Sequence, residues 1–223
     1  MAISGSSCMT SIGDSAFFGC GELQSVTIPS GVTSIGDAAF SGCRGLTSVT
    51  IPSGVTSIGD RVFDDCKALT CITIPSSVTS IGKSAFCGCS GLKSVTIPSS
   101  VTDIGVSAFR DCSGLTNVAI SEGVVRIRDW AFSGCTGLTH VTIPSSAKDI
   151  GESVFSGCYR LTSVESPSGT LKSFYGTPWY ESEMHKRPKM RLAVIVIVSI
   201  IALVVALLGL KKAIADEKPS YYR

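Results

Sequence analysis

Cysteines and carboxylates are the residues of this chain best suited to chemistry. Cys20, Cys43, Cys66, Cys89, Cys112, Cys135 and Cys158 stand 23 positions apart, each three residues after a Phe, from Phe17 to Phe155. A disulfide needs Cβ vectors that converge. A structural zinc needs ligands that converge tetrahedrally, and the chain has no C-x-x-C pair. An evenly spaced column offers neither geometry, so small buried thiols filling a core are the better reading. Cys8, Cys71 and Cys87 fall outside the column. Cys87 and Cys89 form a C-x-C, the one place where redox or metal chemistry stays open, with one side chain expected at the surface.

The carboxylates are also columnar. Asp14, Asp37, Asp60, Asp129 and Glu152 share one phase of the period, which Lys83 and Val106 interrupt. Each directly follows Ile-Gly or, once, Ile-Arg, so capping of a following helical turn explains them, and a row of cation ligands is the competing reading. His140 stands alone, with His185 the only other histidine, and no general base with an orienting partner can be assembled from them. The glycines recur singly and never as a phosphate-cradling loop. Catalysis and a bound cofactor are therefore not expected.

The elements that would position these residues follow from the same period. Units begin at Ile3, Val26, Val49, Ile72, Val95, Val118, Val141 and Val164. Val49 and Ile51 alternate with Thr50, the period of a half-buried strand. Pro52 ends the pairing and Ser53-Gly54 turns the chain. Val55 and Ile58 point inward, and Gly59-Asp60 opens a short helical turn carrying Val62 and Phe63, closed by Cys66. One unit cannot bury these apolar groups alone, but stacked units form a continuous core, the logic of a solenoid. The column Gly13, Gly36, Gly59, Gly82, Gly105, Gly151 marks positive φ or close backbone approach, and Arg128 in the same place should distort its unit. The first strand is reduced to Ile3-Ser4-Gly5, which suggests a chain cut from a longer array or an edge that pairs with another molecule.

Surface columns are then the candidate binding residues. Thr50, Thr73, Thr96 and Thr142 lie outward on the strands with Thr27, broken by Ala119 and Glu165. Thr47, Thr70, Lys93, Thr116, Thr139 and Thr162 form a second row beside them. Threonine favours strands in any case. The functional alternatives are a weakly polar docking face or, more remotely, an ordered-water array. His140 replaces the Ser, Cys or Asn of other units. The stretch "SEGVVRIRDWAF" puts Arg126, Arg128 and Trp130 where small residues stand elsewhere. These are residue types enriched at binding hot spots, although a drifted copy tolerated on a surface edge is the better reading.

Charge divides the chain. Residues 1–185 carry 11 Lys+Arg against 15 Asp+Glu, a balance of −4, and residues 186–223 carry 8 against 2, a balance of +6. The repeats thus offer no basic face to nucleic acid. Leu192 to Leu210 is an uncharged 19-residue run, about 28 Å as a helix, long enough for one transmembrane span. Lys186, Arg187, Lys189 and Arg191 flank one side, and Lys211 and Lys212 the other. The chain therefore divides into a repeat array with its cap over 1–178, a basic juxtamembrane linker over 179–191, the span over 192–210 and a short tail over 211–223. No signal peptide is visible at the start.

The pattern "LTSVTIPSGVTSIGDAAFSGC" resembles the BspA-like class of leucine-rich repeats over residues 3–178. The resemblance implies an α/β, right-handed solenoid with a parallel sheet on one face and short helical turns opposite. It also implies a surface protein linked to adhesion and host-protein binding. Gly54 and Ser77 occupy the turn where longer repeats carry an asparagine ladder, and "FYGTPWYE", Phe174 to Glu181, is similar to a terminal element of such arrays. The expected protein is a single-pass membrane adhesin binding a protein or glycan on its sheet face, with the bilayer as its other partner. The excess of cations before the span, the missing signal and the unpaired thiols favour the alternative, a scaffold on the cytosolic face.

Overall fold

The structure, a computed structural model, describes residues 9–165. The 23-residue period becomes about seven stacked coils of a β-solenoid. Ser25–Thr27, Ser48–Thr50, Cys71–Thr73, Ser94–Ile97 and Asn117–Ile120 form one parallel sheet in chain order. His140–Thr142 pairs in the same sense with Ser163–Glu165. The strands pair a whole period apart, Val26 against Val49 and Val49 against Ile72, so each core residue meets its own counterpart.

A second, narrower ladder was not foreseen. The Ser-Ile or Asp-Ile dipeptides after each turn, such as Ser57–Ile58, Ser80–Ile81 and Asp103–Ile104, also pair in parallel. The interior lies between the two ladders and the turn segment. In the unit Leu46 to Cys66, the side chains of Leu46, Val55, Val62, Phe63 and Cys66 are fully buried, and Val49, Ile51 and Ile58 nearly so. Phe17 through Phe155 stack as near-parallel rings with centroids 5.0–5.6 Å apart.

The helical turns expected opposite the sheet do not form; no helix occurs among the described residues. The reason is where the amides go. Ala38, Phe40 and Gly42 donate to Asp60, Val62 and Asp64 of the next coil at 2.7–2.9 Å, and only the intervening Ala39, Ser41 and Cys43 bond three residues back. Alternate N–H groups thus serve a neighbouring coil, which an α-helix forbids. The alternation requires left-handed backbone at Ser15, Ala38, Arg61, Ser84, Ser107, Trp130 and Ser153, all at φ 54–56°.

The glycine column has ordinary φ, and close approach explains it. A Cβ on Gly82 or Gly105 would lie 2.6 Å from the carbonyl carbon of the glycine one coil below. Arg128 takes this place without leaving the ladder, since its N–H still reaches Ile104 O at 2.9 Å. The irregular backbone of that unit is instead at Gly123, φ 118°. The span Leu192 to Leu210, the cap Phe174 to Glu181 and the start through Cys8 lie outside the described residues. Among those described, no helix is long and apolar enough to cross a membrane.

Candidate functional site

The cysteine column is buried from Cys43 to Cys158, while Cys20 at its end is exposed. Each buried thiol donates to the Phe carbonyl of the preceding coil, Cys66 to Phe40 and Cys89 to Phe63, at 3.1–3.2 Å. Burial pushes the Cys43 thiol up to about 11 and the Cys158 thiol up to about 12. These are packed, protonated donors, and a thiolate nucleophile is the species that burial disfavours most. Cys87 is half-buried against Asp64, and burial followed by the Asp64 charge raises its thiol to about 11, which works against redox chemistry there. No group of three metal-ligating side chains converges among the described residues.

The aspartate column does cap backbone, but in the neighbouring coil. Asp14 Oδ1 accepts from Asp37 N–H, Asp37 from Asp60, Asp60 from Lys83 and Asp129 from Glu152, all at 2.7–2.8 Å. Lys83 and Val106 have no carboxylate to offer, so the row breaks where they stand.

On the wide sheet the outward residues are Thr50, Thr73, Thr96 and Thr142, as expected, all exposed. Their neighbours across the face are two residues earlier in the strand, the column Ser48, Cys71, Ser94, Asn117 and His140. The row of Thr47, Thr70 and Thr116 is a different structure. Those hydroxyls bend back to the carbonyls of Gln24, Thr47 and Lys93, closing backbone acceptors. Strict alternation puts Ser48 and Thr50 on one face, and the Thr47 row, though it repeats as faithfully, lies outside the paired strand. The hydroxyls of Thr50, Thr73 and Thr96 make no side-chain hydrogen bond among the described residues.

Arg126, Arg128 and Trp130 stand on the narrow ladder and its turn, apart from His140 and the threonines. The two guanidiniums converge on Asp103: Arg126 Nε at 2.6 Å, Arg128 Nη2 at 2.9 Å on the same oxygen, and Arg128 Nε at 3.2 Å on the other. Burial pushes the Asp103 carboxyl up, but bonds from Arg128 and Arg126 outweigh it and hold it below its ordinary value. Glu122, the other departure in this unit, accepts from the Ser145 and Ser146 amides of the next coil. The drifted unit therefore satisfies its own charges. Trp130 remains 44 % exposed and makes no ring contact among the described residues.

Residues 10–136 and 104–186 match the profile of the BspA type leucine rich repeat region, in 6 copies. A leucine-rich repeat protein from Bacteroides ovatus shares 36% identity over 76% of this chain and 45% of its own, with a TM-score of 0.71. One from T. pallidum shares 34% identity over 77% and 79% with a TM-score of 0.65. A leucine rich cell surface protein from Faecalibacterium prausnitzii shares 39% over 70% and 42% with a TM-score of 0.64. The chain thus spans less than half the length of the first and third of these. No curated protein matches it. Six profile copies, the 23-residue coil and the parallel ladders agree, and the chain belongs to the BspA-type leucine-rich-repeat family.

Proposed function

We propose that this chain is a non-catalytic binding protein, displayed at the cell surface by the span Leu192 to Leu210, that docks protein ligands on its wide sheet. The observation that carries the reading is the contrast between two sets of threonines. The Thr47 set is used to close the backbone, whereas Thr50, Thr73 and Thr96 hold exposed hydroxyls with no internal partner. Repeated at the spacing of parallel strands, about 4.8 Å, they form a flat, uncharged face beside Ser48 and Ser94. Such a face loses little by being desolvated and can hydrogen-bond in either sense. The likeness to a cell surface protein of Faecalibacterium prausnitzii supports display, and the lack of a convergent acid, base and nucleophile among the described residues supports binding over turnover.

The test is capture of proteins from host-matrix extracts by the full chain in detergent micelles, with Thr50→Lys/Thr73→Lys as the comparison. Both positions are exposed, so folding survives the change. Partners retained by the native chain and lost by the double variant are the expected result. Equal capture by both, or capture by neither, rejects docking on this sheet.

A further inference from the structure

The turn edge of the solenoid carries a feature that the sheet-face reading does not use. Two depressions of about 540 and 600 Å³ lie along it and meet at Asp111, which lines both, so they adjoin as a groove across successive coils. Its base is set by residues in left-handed backbone, Gly88, Asp111, Gly134 and Gly157, at φ 58–76°. A Cβ on Gly134 would strike the Asp111 carboxylate, so glycine there leaves that carboxylate its place in the groove.

The walls are polar and open to water. Ser113, Ser133, Thr136 and Ser156 line the groove, and none of their side chains makes a hydrogen bond among the described residues. Hydroxyls on the other edge behave differently, since Ser77, Ser100 and Ser146 each close a backbone carbonyl of the preceding coil at 2.7–2.8 Å. At one end stands Tyr159, 69 % exposed, a flat ring beside hydroxyls. The charges cancel: the carboxylates of Asp64, Asp65 and Asp111 face three cations, with Arg44 and Lys67 on Asp65 and Arg110 on Asp111.

We propose that this groove binds an unbranched neutral glycan, seated with one sugar ring on Tyr159 and its hydroxyls on Asp111 and the serine and threonine side chains. Donor–acceptor hydroxyls suit a ligand made of hydroxyls. An exposed aromatic ring offers its π-face to the C–H face of a pyranose. Balanced charge gives no advantage to an ionic ligand. A base in which Gly88, Gly134 and Gly157 lack a Cβ lets a strand lie along the axis of the coils beside Asp111.

The proposal is independent of docking on the sheet, and one experiment separates the two. The full chain, in uncharged detergent micelles, is titrated calorimetrically with linear hexaoses of glucose, mannose, galactose and N-acetylglucosamine. Oligogalacturonate and a Lys-rich peptide serve as charged comparators. At least one neutral hexaose should bind. Tyr159→Ala should weaken it roughly tenfold, the upper range for losing one aromatic contact, and Asp111→Asn should weaken it less. Tyr159 is too exposed for its loss to affect folding, and asparagine tolerates the left-handed backbone of position 111. Thr50→Lys/Thr73→Lys should leave glycan binding unchanged. Failure of every neutral hexaose overturns the proposal, as does binding of the charged comparators alone or affinity unaltered by Tyr159→Ala.

Discussion

Introducing glycine into the turns should make this protein more stable. Ala38 and Ser84 sit at φ 54° and 55° in alternate coils. A left-handed backbone costs a residue with a Cβ roughly 1–2 kcal/mol. Glycine removes that penalty but gives back about 0.4–1 kcal/mol through the freedom it adds to the unfolded chain. Each replacement should therefore gain about 0.5–1 kcal/mol, and Ala38→Gly/Ser84→Gly about 1–2 kcal/mol, because the sites lie two coils apart and should add. Ala39→Gly is the counterpart. Ala39 is fully buried with ordinary φ, so there glycine should cost about 1 kcal/mol and leave a small void. Urea unfolding followed by circular dichroism reads both, as midpoints moving in opposite directions. If the double variant unfolds at lower urea than the native chain, the backbone at these turns is not under the strain inferred here.

Phe86→Ala removes a fully buried ring stacked on both sides at 5.4 and 5.0 Å, and should cost about 3–5 kcal/mol in the same titration. Asp37→Ala leaves the Asp60 amide without its acceptor and should cost about 1 kcal/mol, with Asp37→Asn recovering most of it; Lys83→Ala, which removes no such bond, should be silent. Because burial raises the folded Cys43 thiol to about 11 and Cys158 to about 12, above the ordinary 9.0 of a free thiol, the unfolded thiols ionise first. That stabilisation is complete below pH 9 and is lost as pH rises from there through 11 to 12, so urea midpoints should be flat at pH 7–8.5 and fall above pH 9. Cys71 is exposed on the sheet face, so an impermeant maleimide should label it on intact cells if the array is displayed outside; labelling only after permeabilisation would establish the cytosolic arrangement.

Much of the core was readable because it obeys one rule. Leu46, Val55, Phe63 and Cys66 recur every 23 residues and are all fully buried. The turn was misread because Val62, Phe63 and Cys66 have the three- and four-residue spacing of an amphipathic helix, and spacing does not say whether an amide bonds four residues back or 22 ahead. Left-handed backbone at Ala38, Arg61 and Trp130 carries no compositional mark; Asp65 and Asp111, taking a place held elsewhere by Gly42 and Gly134, were the one hint. The aspartate row was recognised as capping, but its partner is a coil away, a distance in sequence that no local motif encodes. Arg126, Arg128 and Asp103 are 23 and 25 residues apart and converge only once the period is wound into coils. The turn-edge groove left no signal either, since Ser113, Thr136 and Tyr159 look unrelated until they are stacked.

The register of this solenoid has a genetic consequence. Every ladder bond, ring stack and thiol contact described joins a coil only to its immediate neighbours, and the strand pairs and ring stacks are offset by one whole period. An in-frame duplication or loss of one period, such as Val26 to Ser48, therefore lengthens or shortens the rod by about 4.8 Å and leaves every surviving contact with an equivalent partner. Unequal recombination between these nearly identical segments would yield folded proteins of graded length rather than wreckage, so a population can explore the number of coils without passing through a misfolded intermediate.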